Sequence, residues 1–114
     1  MQIDVVASDN TLTRVALAGK LDVEGEEQIG GEFRYLVESR GTSFLVDMSQ
    51  VTYLASLGIR LLFAAAKSLV QAGKKLVVLN PQPMVEETLL TSGTAKFIPV
   101  VHSEEEAVLL LSGE

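Results

Sequence analysis

Phe44-Leu45-Val46-Asp47-Met48, followed by Leu54-Ala55-Ser56-Leu57-Gly58-Ile59-Arg60, is the part of the chain that settles the architecture. The first run is short and apolar except for Asp47, the pattern of a strand covered on both faces. A loop from Ser49 to Ala55 leads to a second pattern. Leu57, Ile59, Leu61, Leu62, Phe63, Leu69 and Val70, with Ala64-Ala65-Ala66 among them, predict a helix from Ser56 or Leu57 to Ala72. Its apolar arc is wide, so the helix is expected to be central and mostly buried. Gly73 ends it, and Lys67, Lys74 and Lys75 suit its negative end. Lys75 to Leu79 is then a second buried strand. Strand, helix and strand in this order make a parallel unit with a right-handed crossover.

Upstream, Gln2 to Ala7 and Leu12 to Ala18 read as two strands joined by Ser8-Asp9-Asn10. In the second, Leu12, Arg14 and Ala16 alternate with Thr13, Val15 and Leu17, which suits a half-buried strand in an antiparallel hairpin. Gly19 is expected to break this strand, with Lys20 to Gly25 forming a loop. A helix from about Glu24 to Ser39 follows, carrying Ile29, Phe33, Leu36 and Val37 on one face and ending at Arg40-Gly41. Gly30-Gly31 weakens it by ~1 kcal/mol per glycine, so either a close packing contact compensates or the helix starts late.

Downstream, Asn80-Pro81-Gln82-Pro83 opens a third helix over Met84, Val85, Thr88 and Leu89, extending to Gly93. Phe97 to Val101 is the last strand, marked by Pro99 as an edge or a strand end. Ser103-Glu104-Glu105-Glu106 has the form of a capping box, and the closing helix carries Ala107, Val108 and Leu111 inward. The order β-β-α-β-α-β-α-β-α predicts an α/β fold: a mostly parallel five-stranded sheet with an N-terminal antiparallel hairpin and about four helices. Residues 1–114 form a single domain, long enough to need no disulfide or metal staple.

Composition narrows the function. The chain has no cysteine, which removes disulfide frameworks, zinc knuckles and thiol catalysis together. A net charge of -6 with no basic stripe argues against nucleic acid. No apolar run approaches the ~20 residues of a membrane span. The start, Met1-Gln2-Ile3-Asp4, lacks the features of a signal peptide, so the expected location is the cytoplasm. Neither G-x-G-x-x-G nor a Walker sequence is present, and no cofactor is expected. His102 is the single histidine, with no second histidine or cysteine to form a metal site, and it reads as a solvated loop residue.

In open parallel sheets, function gathers at the loops beyond the carboxyl ends of the strands. Here those loops are expected to hold Asp22, Asp47 with Ser49, Ser56 and Asn80. Ser56 stands where an N-cap serine would, and the plain reading is that its oxygen satisfies one helix amide. Its neighbours Leu54, Ala55, Leu57, Gly58 and Ile59 make an apolar collar that suits either a protein contact or core. Gly58 would let another backbone approach closely. Asp22 and Asp47 could hold a metal or act as acid and base; the commoner role of such residues is to cap loops. A receiver domain is a poor match to Asp47, because no adjacent acidic pair ends the first strand and no lysine follows the last.

Taken together, these residues resemble the sulfate transporter and anti-sigma factor antagonist (STAS) domain family over nearly the whole chain. The resemblance rests on Gly19-Lys20-Leu21-Asp22, on Val46-Asp47-Met48-Ser49 through Ala55-Ser56-Leu57-Gly58, and on Ser92-Gly93 and Ser103-Glu104-Glu105-Glu106-Ala107. It implies a βα superhelix and a binding protein, not an enzyme. In bacterial members the serine matching Ser56 is the phosphoacceptor of a partner that is both an anti-sigma factor and a serine kinase of the GHKL type. Unphosphorylated antagonist binds that partner; phosphorylation ends the binding, and a PP2C-like phosphatase restores it. Asp22, Leu54, Ala55, Leu57, Gly58, Ile59 and Arg60 would then contact the partner. The commonest form of the motif is Asp-Ser-Ser-Gly, in which Ala55 replaces the aspartate and Leu57 the second serine. The rival within the family is a constitutive interaction subunit of a larger complex, such as a lipid-transport assembly or a signalling scaffold, with no phosphoswitch.

Overall fold

The computed structural model describes residues 1–112. Its strands are β1 (Gln2–Ser8), β2 (Leu12–Leu21), β3 (Ser43–Leu54), β4 (Leu76–Leu79) and β5 (Val100–Val101). The helices are α1 (Val23–Arg40), α2 (Ser56–Gln71), α3 (Pro83–Thr91) and α4 (Glu104–Ser112), with one 3-10 turn at Thr94–Lys96. The strands lie side by side in chain order, β1-β2-β3-β4-β5. β1 and β2 are antiparallel and every later pair is parallel. This is the expected mixed α/β sheet with its four helices.

Local chemistry explains the joints. At the hairpin, Asp9 Oδ1 accepts the amides of Thr11 at 2.8 Å and Leu12 at 2.9 Å, an Asx-type closure that replaces ladder bonds the turn cannot make. Gly41 takes the left-handed conformation, φ 67°, that ends α1, and Gly73 does the same after α2 with φ 77°. At α4, the Ser103 oxygen accepts the Glu106 amide at 3.1 Å. Glu106 Oε1 in turn accepts the His102 amide at 2.9 Å, one residue earlier than a reciprocal box requires.

Alternate residues of the central strands sort the helices onto two faces. Val46 and Val78 pack with Phe33, Leu36, Leu62, Leu69, Val85 and Leu89, so α1, α2 and α3 share one face. Leu45, Val77, Leu79 and Val101 pack with Ala107 of α4 on the other. The first face carries the main core. The second is covered by one short helix.

Several boundaries differ from the sequence expectation. β2 does not stop at Gly19; it runs on to Leu21, with φ 111° at the glycine and register shifts on either side of it. β3 continues through Ser49–Leu54, where a loop was expected, because β2 extends beside it: Ala18 pairs with Gln50, Gly19 with Val51 and Leu21 with Leu54. Asp47 and Ser49 therefore lie inside a strand rather than at its carboxyl end. β5 shrinks to two residues, with Pro99, which has no amide to give, just outside it. In α4, Ala107 is buried but Val108 faces outward. α1 starts at Val23, so the Gly30-Gly31 pair is not explained by a late start. A Cβ on Gly30 would meet the Glu26 carboxylate at 2.6 Å, whereas one on Gly31 would meet nothing within 4 Å.

Candidate functional site at the starts of α1 and α2

Leu21 and Leu54 end neighbouring strands and are register partners. The residue after each is the N-cap of a helix, Asp22 for α1 and Ala55 for α2, both with extended backbone. The two helices thus begin at one end of the sheet, tied by the Ala55 amide donating to the Leu21 carbonyl at 3.0 Å.

The two caps are unequal. Asp22 Oδ1 accepts the Gly25 amide at 2.9 Å and so closes the start of α1. Ala55 has no side chain to offer, and α2 has no side-chain cap bond. Ser56 is the first residue inside α2, not its cap. The expectation that its oxygen satisfies a helix amide is therefore corrected: the helix begins one residue earlier. Ser56 is exposed, and its hydroxyl makes no hydrogen bond to any described residue. No acidic residue stands in the first turn of α2. The hydroxyl meets solvent beside orphan amides.

The collar divides into support and surface. Leu54 is buried, and Gly58 lies so close to the strand that a Cβ would fall 2.6 Å from Leu21 Cγ and 2.8 Å from Leu21 O. These two are packed into the floor beneath Ser56. Ala55, Leu57 and Ile59 are half-buried and Arg60 is exposed. Tyr53 and Val23, absent from the sequence-based set, are both more than half exposed at the same end of the sheet. Tyr53 was not legible in the sequence: alternation from buried Val51 would turn it inward, and it faces out beside the register shift at Gly19/Lys20. Asp22 also borders a polar hollow of about 280 Å³ with Met1, Lys20, Glu24, Gly25 and Gln28.

The two aspartates do not converge. Asp47 pairs with Ala16 in mid-strand, and Leu54 lies seven positions further along β3, roughly 23 Å of strand. Its Oδ1 accepts the Ser49 amide at 3.0 Å, and Arg14 lies 3.5 Å from Oδ2. Each aspartate caps nearby amides, which leaves the acid-base pairing without geometry. Among the described residues no three metal-ligating side chains cluster. His102 is engaged elsewhere, its Nε2 2.8 Å from Glu86 Oε1, so the structure places no histidine base at Ser56. Asn80 adopts a left-handed conformation, φ 53°, and its amide donates to Val101 O at 2.8 Å. Among the described residues no helix is long and apolar enough to cross a membrane.

Comparison with known proteins agrees with this architecture. Residues 5–101 match the family described as "Mlab, STAS domain". The "Putative anti-sigma factor antagonist BtrV" of Bordetella bronchiseptica is 30% identical over 91 residues, covering 80% of this chain and 78% of BtrV. The unphosphorylated anti-sigma factor antagonist SpoIIAA superposes with a TM-score of 0.79 at 20% identity, covering 99% of this chain and 98% of that one. The phosphorylated form of Bacillus SpoIIAA gives 0.70 at 20% identity, with 94% and 96% covered. The chain belongs to the STAS domain family.

Proposed function

We propose that this chain is a cytoplasmic anti-sigma factor antagonist in a partner-switching pathway, a binding protein with no catalytic activity of its own. It binds an anti-sigma factor with GHKL-type serine kinase activity while Ser56 is unmodified, and phosphorylation of Ser56 releases it. A PP2C-like phosphatase returns it to the binding state. The observation that carries this reading is the exposed, unbonded Ser56 hydroxyl at the first position of α2. In the rival reading, a constitutive subunit, the serine serves only as a helix cap, and here Ala55 occupies the cap position. The similarity to BtrV, whose name refers to the same role, supports the choice.

Energetics place the effect of the switch at the contact. A phosphoryl group adds about -1.5 to -2 charges, and at a helix N-terminus that charge is favourable by ~0.3–1 kcal/mol. The helix stays folded. Bringing the same charge against Leu57 and Ile59 under a partner desolvates it, and a hundredfold loss of binding needs only ~2.8 kcal/mol. The test is incubation with candidate GHKL kinases followed by intact-mass measurement, and a pull-down with unmodified, phosphorylated and Ser56→Ala protein. One added phosphate, absent in Ser56→Ala, and loss of one partner on phosphorylation are expected. An identical partner set for all three proteins would overturn the reading.

A further inference from the structure

Arg60 stands one helical turn after Ser56, and both side chains are exposed. Positions four apart in a helix share a face, with Cβ atoms about 5–6 Å from each other. Every Cα–Cβ bond of a helix tilts toward its N-terminus, so the long Arg60 side chain leans back over the turn that holds Ser56. An arginine four residues before the serine would lean away from it.

Arg60 is also the arginine that the fold leaves unused. Arg14 and Arg34 pair with carboxylates, and Arg40 donates to the Ser8 hydroxyl. Arg60 makes no hydrogen bond or ion pair with any described residue. Its own helix cannot answer it, because Ser56–Gln71 contains no aspartate or glutamate. The other cation of α2, Lys67, lies about two turns further on. A guanidinium is planar and offers paired donors that match two oxygens of one phosphate.

We propose that Arg60 is the internal receptor for the phosphate on Ser56, pairing with it across one turn of α2. The inference rests on the reading of Ser56 as a phosphoacceptor and adds what becomes of the phosphate once it is there. An unmodified hydroxyl carries no charge to hold the guanidinium, which is left to solvent or to a partner. Phosphoserine supplies about -1.5 to -2 charges. The anion then precedes the cation by four residues, the favourable order along a helix. Phosphorylation thus changes the surface at two points: an anion appears at Ser56, and the first cation of α2 is drawn out of a partner's reach.

Protein with phosphoserine placed at position 56 during synthesis, through a reassigned codon, tests the pairing without a kinase. The readout is the second ionisation of the phosphate, ordinarily near pH ~6, followed by phosphorus NMR. A guanidinium in contact favours the dianion, so the wild-type midpoint should lie at least about 0.3 pH units below that of Arg60→Gln. Lys67→Gln removes the same charge two turns away and should titrate like wild type. The Met1 amine, Lys20, Asp22 and Glu24 border the start of α1, and Tyr53 the start of α2; all are common to the three proteins and cancel in the comparison. Arg60 is exposed, so Arg60→Gln should keep the wild-type circular dichroism spectrum. Equal midpoints for wild type and Arg60→Gln, or an equal shift in Lys67→Gln, overturn the proposal. The lack of any kinase acting on Ser56 would instead count against the functional reading, since the encoded phosphate does not depend on one.

Discussion

Gly25 and Gly58 hold the same place in their helices, third residue in each, and press on consecutive carbonyls of β2. A Cβ on Gly25 would collide with Lys20 O, and one on Gly58 would lie 2.8 Å from Leu21 O. Both helix starts are thus seated on the backbone of one strand, and that strand cannot yield as a flexible side chain could.

Gly58→Ala should therefore destabilise the fold although alanine is the better helix former. The collision is expected to cost about 1–3 kcal/mol, more than the ~1 kcal/mol of propensity gained. Gly31→Ala is the control, with nothing within 4 Å of its added carbon, and should stabilise by about 0.5–1 kcal/mol. Urea unfolding of both variants checks the opposite signs.

Ser56→Ala should leave stability within about ±0.5 kcal/mol of wild type, as expected for an exposed side chain with no bond to lose. A serine acting as N-cap would cost ~0.5–2 kcal/mol on the same change. A loss in that upper range would restore the capping role.

Ala55→Asp should stabilise the fold by ~0.5–2 kcal/mol, because it supplies the cap that α2 lacks. Phosphorylated Ser56 should act in the same direction by about 0.3–1 kcal/mol. Amide NMR spectra should then show local shifts around residues 55–60 with the helix retained; wholesale loss of α2 signals on phosphorylation would contradict this account.

His102 should give the chain a pH dependence of definite sign. The hydrogen bond to Glu86, and the charges of Glu86 and Glu106, raise its pKa above the ordinary 6.5. The folded state holds this proton more tightly than the unfolded chain. The contribution is complete below 6.5 and is lost as pH rises through the folded value. Glu86→Gln should move the imidazole titration, followed by NMR, back toward the ordinary value; an unmoved midpoint would show that the pair does not hold in solution.

Periodicity sufficed for the order of elements because the buried strands are short apolar runs and α1 carries a clean stripe through Ile29, Phe33 and Val37. It failed where pairing, not composition, decides. Ser49–Leu54 looks polar enough for a loop, yet it is strand because β2 runs beside it after two register shifts. No local pattern announces such shifts. At the site, the capping role read for Ser56 turned on a helix boundary one residue away, the least determinate feature of a sequence. Leu54 and Gly58 were singled out with the surface residues because an apolar collar reads alike from above and from below. Val108 was assigned inward and faces out, since a helix with four successive apolar residues, Val108 to Leu111, carries no phase information.

The sequential strand order also bears on how the molecule assembles. Every strand pairs only with the strands before and after it in the chain, so none must be inserted between two already joined. The sheet can grow outward from the hairpin as synthesis proceeds, each crossover helix closing over the strand just added. Such a chain needs few long-range closures and should fold quickly for a protein with a parallel sheet. Its last increments, β5 and α4, are also its shortest strand and one of its two shortest α-helices, so fraying at that end would leave the surface that carries Ser56 already built.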